Sequence, residues 1–227
     1  MPPLVKICGL STEDTLAAAL DAGAERVGFV FFPRSPRHLT LDRAAALAVL
    51  ARGRAAVVAL TVDADDDALA AIVAAVGPDM LQLHGRETPE RVAAVRARFG
   101  RPVIKALGVS TAADLAAVPA CAAVADEILF DAKPPKGAVL PGGNGVSFDW
   151  RLIAALDLSV PFMLSGGLGP DNVGDALRLT RAPAVDVSSG VESAPGVKSS
   201  DLIAAFVRAA RGGMVAPRRD ARGEVQP

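Results

Sequence analysis

The chain has little of what metal, redox and secreted proteins rely on. Of its 227 residues, two are cysteine and two histidine. Cys8 and Cys121 stand far apart and make no metal-ligand spacing, and His38 and His84 are too few for a usual zinc site. No metal is expected, and no disulfide is suggested. Charge of one sign is also missing. Twenty-four Lys and Arg against twenty-five Asp and Glu leave a net charge of −1, with no basic surplus to attract nucleic acid or an anionic membrane. No apolar run is long enough to span a bilayer, and no basic-then-apolar leader opens the sequence. The expectation is a soluble, cytoplasmic protein with neither nucleic acid nor membrane as partner.

Apolar residues make up 51 % of the chain, in short runs bounded by turn residues. Eight such runs are candidate strands: Leu4–Cys8, Arg26–Phe31, Ala55–Val62, Met80–Leu83, Val103–Ala106, Ile128–Phe130, Phe162–Leu164 and Ala184–Val187. Most are nearly continuous in apolar character, as strands covered on both faces should be. Between them lie helical patterns, expected over Thr12–Ala22, Asp42–Ala51, Asp65–Val76, Pro89–Phe99, Ala112–Val118, Asp149–Leu156, Pro170–Leu179 and Ser200–Arg211. Several open with signals for a helix N-terminus, such as Thr88 before Pro89. Eight strand–helix units at this length predict an α/β fold, a single (β/α)8 TIM barrel over residues 1–211. A doubly wound sheet is the alternative. It would use fewer strands, and no G-x-G-x-x-G follows the first run. The segment Asp131–Phe148, rich in glycine, proline and lysine, reads as a long functional loop. Residues 212–227 read as a polar, flexible tail.

In a barrel, chemistry gathers where the strands end. Cys8 closes the first run just before Gly9, so it is either a thiol at the barrel mouth or a small buried hydrophobe. Lys6 lies two residues earlier, on the same face of an extended strand. Arg37 sits in the proline-flanked loop Pro33–Arg37, where a fixed guanidinium suits a carboxylate or phosphate; a solvated surface arginine is the alternative. Gln82 and His84 end strand four, and His84 reads as a substrate contact or as hydrogen-bonded scaffold. Lys105 in strand five is a further candidate. Asp131 follows strand six, as a general acid or as a turn aspartate bonding nearby amides. Asp186 lies inside strand eight, suited to pair with Lys6 or Lys105. Ser165-Gly166-Gly167 and Ser188-Ser189-Gly190 end the last two strands. Consecutive glycine–serine clusters there favour a phosphate site, because glycine lets backbone amides approach an anion closely.

Nine motifs then stand in one order: Lys6-Ile7-Cys8-Gly9, Gly28-Phe29-Val30-Phe31, Ser35-Pro36-Arg37, Gln82-Leu83-His84-Gly85, Phe130-Asp131-Ala132-Lys133, Gly142 to Gly145 with Phe148-Asp149-Trp150, Ser165-Gly166-Gly167-Leu168, Asn172-Val173, and Asp186 to Glu192. From about Val5 to about Val207 the chain resembles the phosphoribosylanthranilate isomerases of tryptophan biosynthesis. Asn144 departs from the threonine more usual there. The resemblance implies an Amadori rearrangement of a phosphosugar, N-(5-phosphoribosyl)anthranilate, without cofactor or metal. It implies Cys8 as general base and Asp131 as general acid. It further implies that Arg37 takes the anthranilate carboxylate, with Gln82, His84, Gly166, Gly167, Ser188, Ser189 and Gly190 as the other substrate-binding positions. A monomer or a homodimer is expected.

Overall fold

The computed structural model describes residues 2–134, 137–138, 140–154 and 156–212. The expected tail lies outside them, apart from Gly212, which closes the last helix. Eight parallel strands close into a barrel in sequence order: β1 Leu4–Cys8, β2 Arg26–Phe31, β3 Ala56–Thr61, β4 Met80–Leu83, β5 Val103–Val109, β6 Glu127–Ala132, β7 Phe162–Leu164 and β8 Ala184–Val187. Helices α1 Glu13–Ala22, α2 Leu41–Ala51, α3 Asp66–Val76, α4 Pro89–Phe99, α5 Val118–Ala122, α6 Arg151–Ala154, α7 Val173–Thr180 and α8 Ser200–Gly212 alternate with them. A short antiparallel hairpin, β9 Glu192–Ala194 and β10 Val197–Lys198, follows the barrel's last strand.

Local chemistry sets the boundaries. Thr12, Thr40, Asp65 and Thr88 accept the first free helix amides with their side chains, and Gly23, Gly77 and Gly100 close helices in the left-handed conformation. Three helices differ from the sequence expectation. The stretch expected over Ala112–Val118 divides into a 3-10 turn, Ala112–Ala117, and α5. The one expected over Asp149–Leu156 shrinks to α6. Pro170 stays outside α7, because Asn172 Nδ2 donates to the Gly167 carbonyl and its Oδ1 accepts from the Gly169 amide, holding that turn open. Among the described residues, no helix is long and apolar enough to cross a membrane.

Strand alternation divides the core in two. Val5, Ile7, Val27, Phe29, Ile128, Phe130, Val185 and Val187 face the helices. Val58, Ile104, Ala106, Leu129, Met163 and Ala184 fill the barrel interior, with Cys8, Val30 and Leu60 above them. Lys105 lies between Ile104 and Ala106 and so points outward, away from the barrel mouth. It pairs with Glu87 at 2.7 Å and donates to the carbonyls of Leu83 and Gly85. That removes it as a partner for Asp186.

Candidate active site

The carboxyl ends of the strands surround one cleft. Cys8, Arg37, His84, Asp131, Gly166, Gly167, Ser188, Ser189 and Gly190 line it together, although they come from opposite ends of the sequence. Gln82 does not line it. It is fully buried behind His84, with Nε2 3.1 Å from His84 Nδ1.

Cys8 is almost wholly buried at the end of β1. Burial pushes its thiol above the ordinary range. Lys6 and Lys198 pull it down and Asp186 pushes it up, so burial prevails. Asp186 is the partner of Lys6, Oδ1 to Nζ 2.8 Å, and its Oδ2 accepts from Ser165 Oγ at 3.2 Å. Burial pulls the Lys6 ammonium down, but Asp186 and Cys8 outweigh it and the group is held above its usual value. Room for this trio comes from β2. Gly28 stands opposite Cys8 in the parallel register, and a Cβ there would lie 2.8 Å from Sγ and 3.1 Å from Lys6 Nζ.

Asp131 lies within β6 rather than after it, because the strand runs on to Ala132. It is buried, Oδ1 accepting from the Ala132 amide and Oδ2 lying 3.1 Å from His84 Nε2. Asp131 and Cys8 thus face one cleft from β6 and β1. Described residues of the loop after β6 pack on Asp131. Gly142 packs on the Asp131 carboxylate and the His84 ring, and Gly143 on the Arg37 guanidinium, where a Cβ would fall 2.8 Å from Nη1. Asn144 steadies the loop by donating from Nδ2 to the Leu140 carbonyl at 3.1 Å. The side chain that stands where threonine is more usual is therefore in use.

Arg37 is buried, not a solvated surface arginine. Its Nε and Nη2 donate to the two Glu192 oxygens at 2.6 and 2.8 Å. Lys198 donates to Glu192 Oε1 at 2.7 Å and to the carbonyl and hydroxyl of Ser188 at 2.9 and 3.2 Å. Burial raises Glu192, but the Arg37 hydrogen bonds and the Lys198 charge outweigh it and hold the carboxyl at about 2. Among the described residues, the amides of Gly167, Ser189 and Gly190 donate to no protein acceptor. A cluster of free amides at strand ends is suited to an anion.

Lys198 was missed by reading the sequence, and Glu192 stood in a quoted motif without a role. The signal for them was weak. The hairpin that carries them has strands of three and two residues, too short for alternation to show.

Comparison with known proteins points to one family. A family model described as N-(5'-phosphoribosyl)anthranilate (PRA) isomerase matches residues 5–209. N-(5'-phosphoribosyl)anthranilate isomerase of Rhodopseudomonas palustris (strain BisA53) is 66 % identical over 211 residues, covering 93 % of this chain and 97 % of the relative. The crystal structure of phosphoribosyl anthranilate isomerase from Thermotoga maritima superposes with a TM-score of 0.84 at 36 % identity, over 92 % of this chain and 99 % of that one. A phosphoribosyl anthranilate isomerase in complex with reduced 1-(o-carboxyphenylamino)-1-deoxyribulose 5-phosphate superposes at 0.80 and 33 % identity, over 92 % and 99 %.

Proposed function

The chain belongs to the N-(5'-phosphoribosyl)anthranilate isomerase family and carries out that isomerisation in tryptophan biosynthesis; from this premise we propose that Cys8 is its general base and Asp131 its general acid. The observation that carries the assignment is their placement on β1 and β6, facing one cleft between free backbone amides and a buried arginine.

In this reading the substrate lies across the barrel mouth. Its phosphate takes the free amides of Gly167, Ser189 and Gly190, and its anthranilate carboxylate meets Arg37. The ribose then lies between the acid and the base. Asp131 protonates the ring oxygen as the C1′–O4′ bond breaks, leaving a Schiff base between C1′ and the anthranilate nitrogen. Cys8, as thiolate, takes the proton from C2′, and the electron pair moves into the C1′=C2′ bond of an enolamine. Protonation at C1′ and loss of the enol proton give the 2-ketose. Each step is a proton transfer between side chains and substrate, and needs no redox partner. His84, 3.1 Å from the Asp131 carboxylate, orients the acid, with Gln82 behind it. Every group invoked comes from one chain, so a monomer or a homodimer would serve equally in the cytoplasm.

The test is turnover of freshly prepared phosphoribosylanthranilate, followed by loss of its fluorescence. Cys8→Ala and Asp131→Asn should each lower kcat by roughly 10²- to 10⁴-fold, the usual contribution of a positioned acid or base. Wild-type activity in either variant would overturn the role given to that residue.

A further inference from the structure

The established reaction needs a cation for the substrate carboxylate, and Arg37 is placed for it. The structure shows most of that guanidinium already engaged. Both oxygens of Glu192 hold its Nε–Nη2 edge, and the Gly143 carbonyl accepts a longer bond from Nη2 at 3.3 Å. Nη1 alone donates to no acceptor among the described residues, and it lies against the loop over the cleft. We propose that Glu192 is the positioning residue for carboxylate recognition: it holds Arg37 by one edge, so that the substrate carboxylate is read by the remaining Nη1 end. This rests on the assignment of Arg37 to the carboxylate and names what orients it.

Glu192 is built for this role. Beyond Arg37 and Lys198, it accepts from the Gly196 amide at 3.1 Å, so both oxygens are saturated and the carboxylate cannot turn. The hairpin supplying these contacts packs on the Arg37 loop, Gly196 lying beside the Pro36 carbonyl. An acidic group next to an anion-binding arginine would by itself oppose the substrate. Lys198 offsets it: two cations and one anion leave one net positive charge at this end of the cleft. Through Ser188, the same lysine ties the carboxylate-reading arginine to the loop offered to the phosphate. The spacing between the two anion sites is thereby fixed before substrate arrives. Such preorganisation lowers the ordering cost of binding.

The experiment compares two substrates made from ribose 5-phosphate, one with anthranilate and one with aniline, which lacks the carboxylate. The readout is the ratio of their kcat/KM values. A charge-assisted hydrogen bond to the carboxylate corresponds to a ratio of roughly 10- to 100-fold in the wild type. Arg37→Ala should bring the ratio close to one. Glu192→Gln should lower it about tenfold, through KM of the carboxylated substrate, while the aniline substrate changes little. A merely structural role would slow both substrates alike and leave the ratio standing, which overturns the proposal. If Arg37→Ala itself leaves the ratio unchanged, the assignment of Arg37 to the carboxylate is wrong and the proposal goes with it. Should Glu192→Gln not fold, Glu192→Asp, which keeps the charge but shortens the reach, is judged by the same ratio.

Discussion

Replacing Lys6 by methionine tests the electrostatics beneath the thiol. In the native barrel Lys6 and Asp186 are 2.8 Å apart and both are out of water. The variant leaves the Asp186 carboxylate buried with Ser165 Oγ as its remaining side-chain donor, 3.2 Å away. Breaking one side of a buried pair costs about 3–5 kcal/mol, because the surviving charge is uncompensated. Native domains are stable by only about 5–15 kcal/mol, so the variant should fold but with a much smaller margin. At a urea slope near 3 kcal/mol/M, the midpoint should fall by about 1–2 M. The second effect falls on Cys8. Burial and Asp186 continue to push its pKa up, and of the cations that pulled it down only Lys198 remains. The thiolate fraction at neutral pH should fall, and the rise of kcat/KM with pH should move to higher pH. Urea unfolding reads the first effect; the rate of iodoacetamide inactivation against pH reads the second. A double variant, Lys6→Met with Asp186→Leu, should recover most of the stability, since apolar residues can replace a buried ion pair. A stability loss below about 1 kcal/mol, or an unmoved thiol ionisation, would refute this account of the trio.

Two further outcomes follow from the same geometry. Gly28→Ala would set a methyl group 2.8 Å from Cys8 Sγ. It should destabilise by about 1–3 kcal/mol through overpacking and lower kcat with little change in KM; unchanged kcat would show that the thiol tolerates displacement. Glu192 titrates at about 2 in the folded protein against an ordinary 4.5. A depressed carboxyl contributes stability that is complete above about pH 4.5 and is lost as pH falls from there towards 2, on the order of 3 kcal/mol. Glu192→Gln should start from lower stability at pH 7 and lose less across that window in acid unfolding. Parallel acid curves for the two proteins would contradict the burial and pairing of Glu192.

Much of the fold was legible because each element carries a local signal. The strands showed as bounded apolar runs, and their eightfold alternation with helices pointed to the barrel. Helices with strong caps were read nearly to the residue, as at Pro89–Phe99. Those expected over Ala112–Val118 and Asp149–Leu156 were not. Asp114 draws its own turn together by accepting from the Ser110 and Thr111 amides, and contacts with Lys133 far along the chain add to it. Lys105 was not legible in this way: it was a candidate beside the mouth residues, and its place between two inward-facing residues sends it outward to Glu87.

The amino-acid sequence by itself determined which residues could do chemistry at strand ends. Cys8, Asp131 and the glycine–serine turns after β7 and β8 are fixed there by strand length and turn chemistry, both local in origin. Tertiary structure alone decided who meets whom. Closing the barrel brings β8 beside β1 and so sets Asp186 against Lys6 across 180 positions of chain. The same closure brings Glu192 to Arg37 across 155. Pairing of buried charges depends on distance and on the exclusion of water, and neither exists until the sheet has closed.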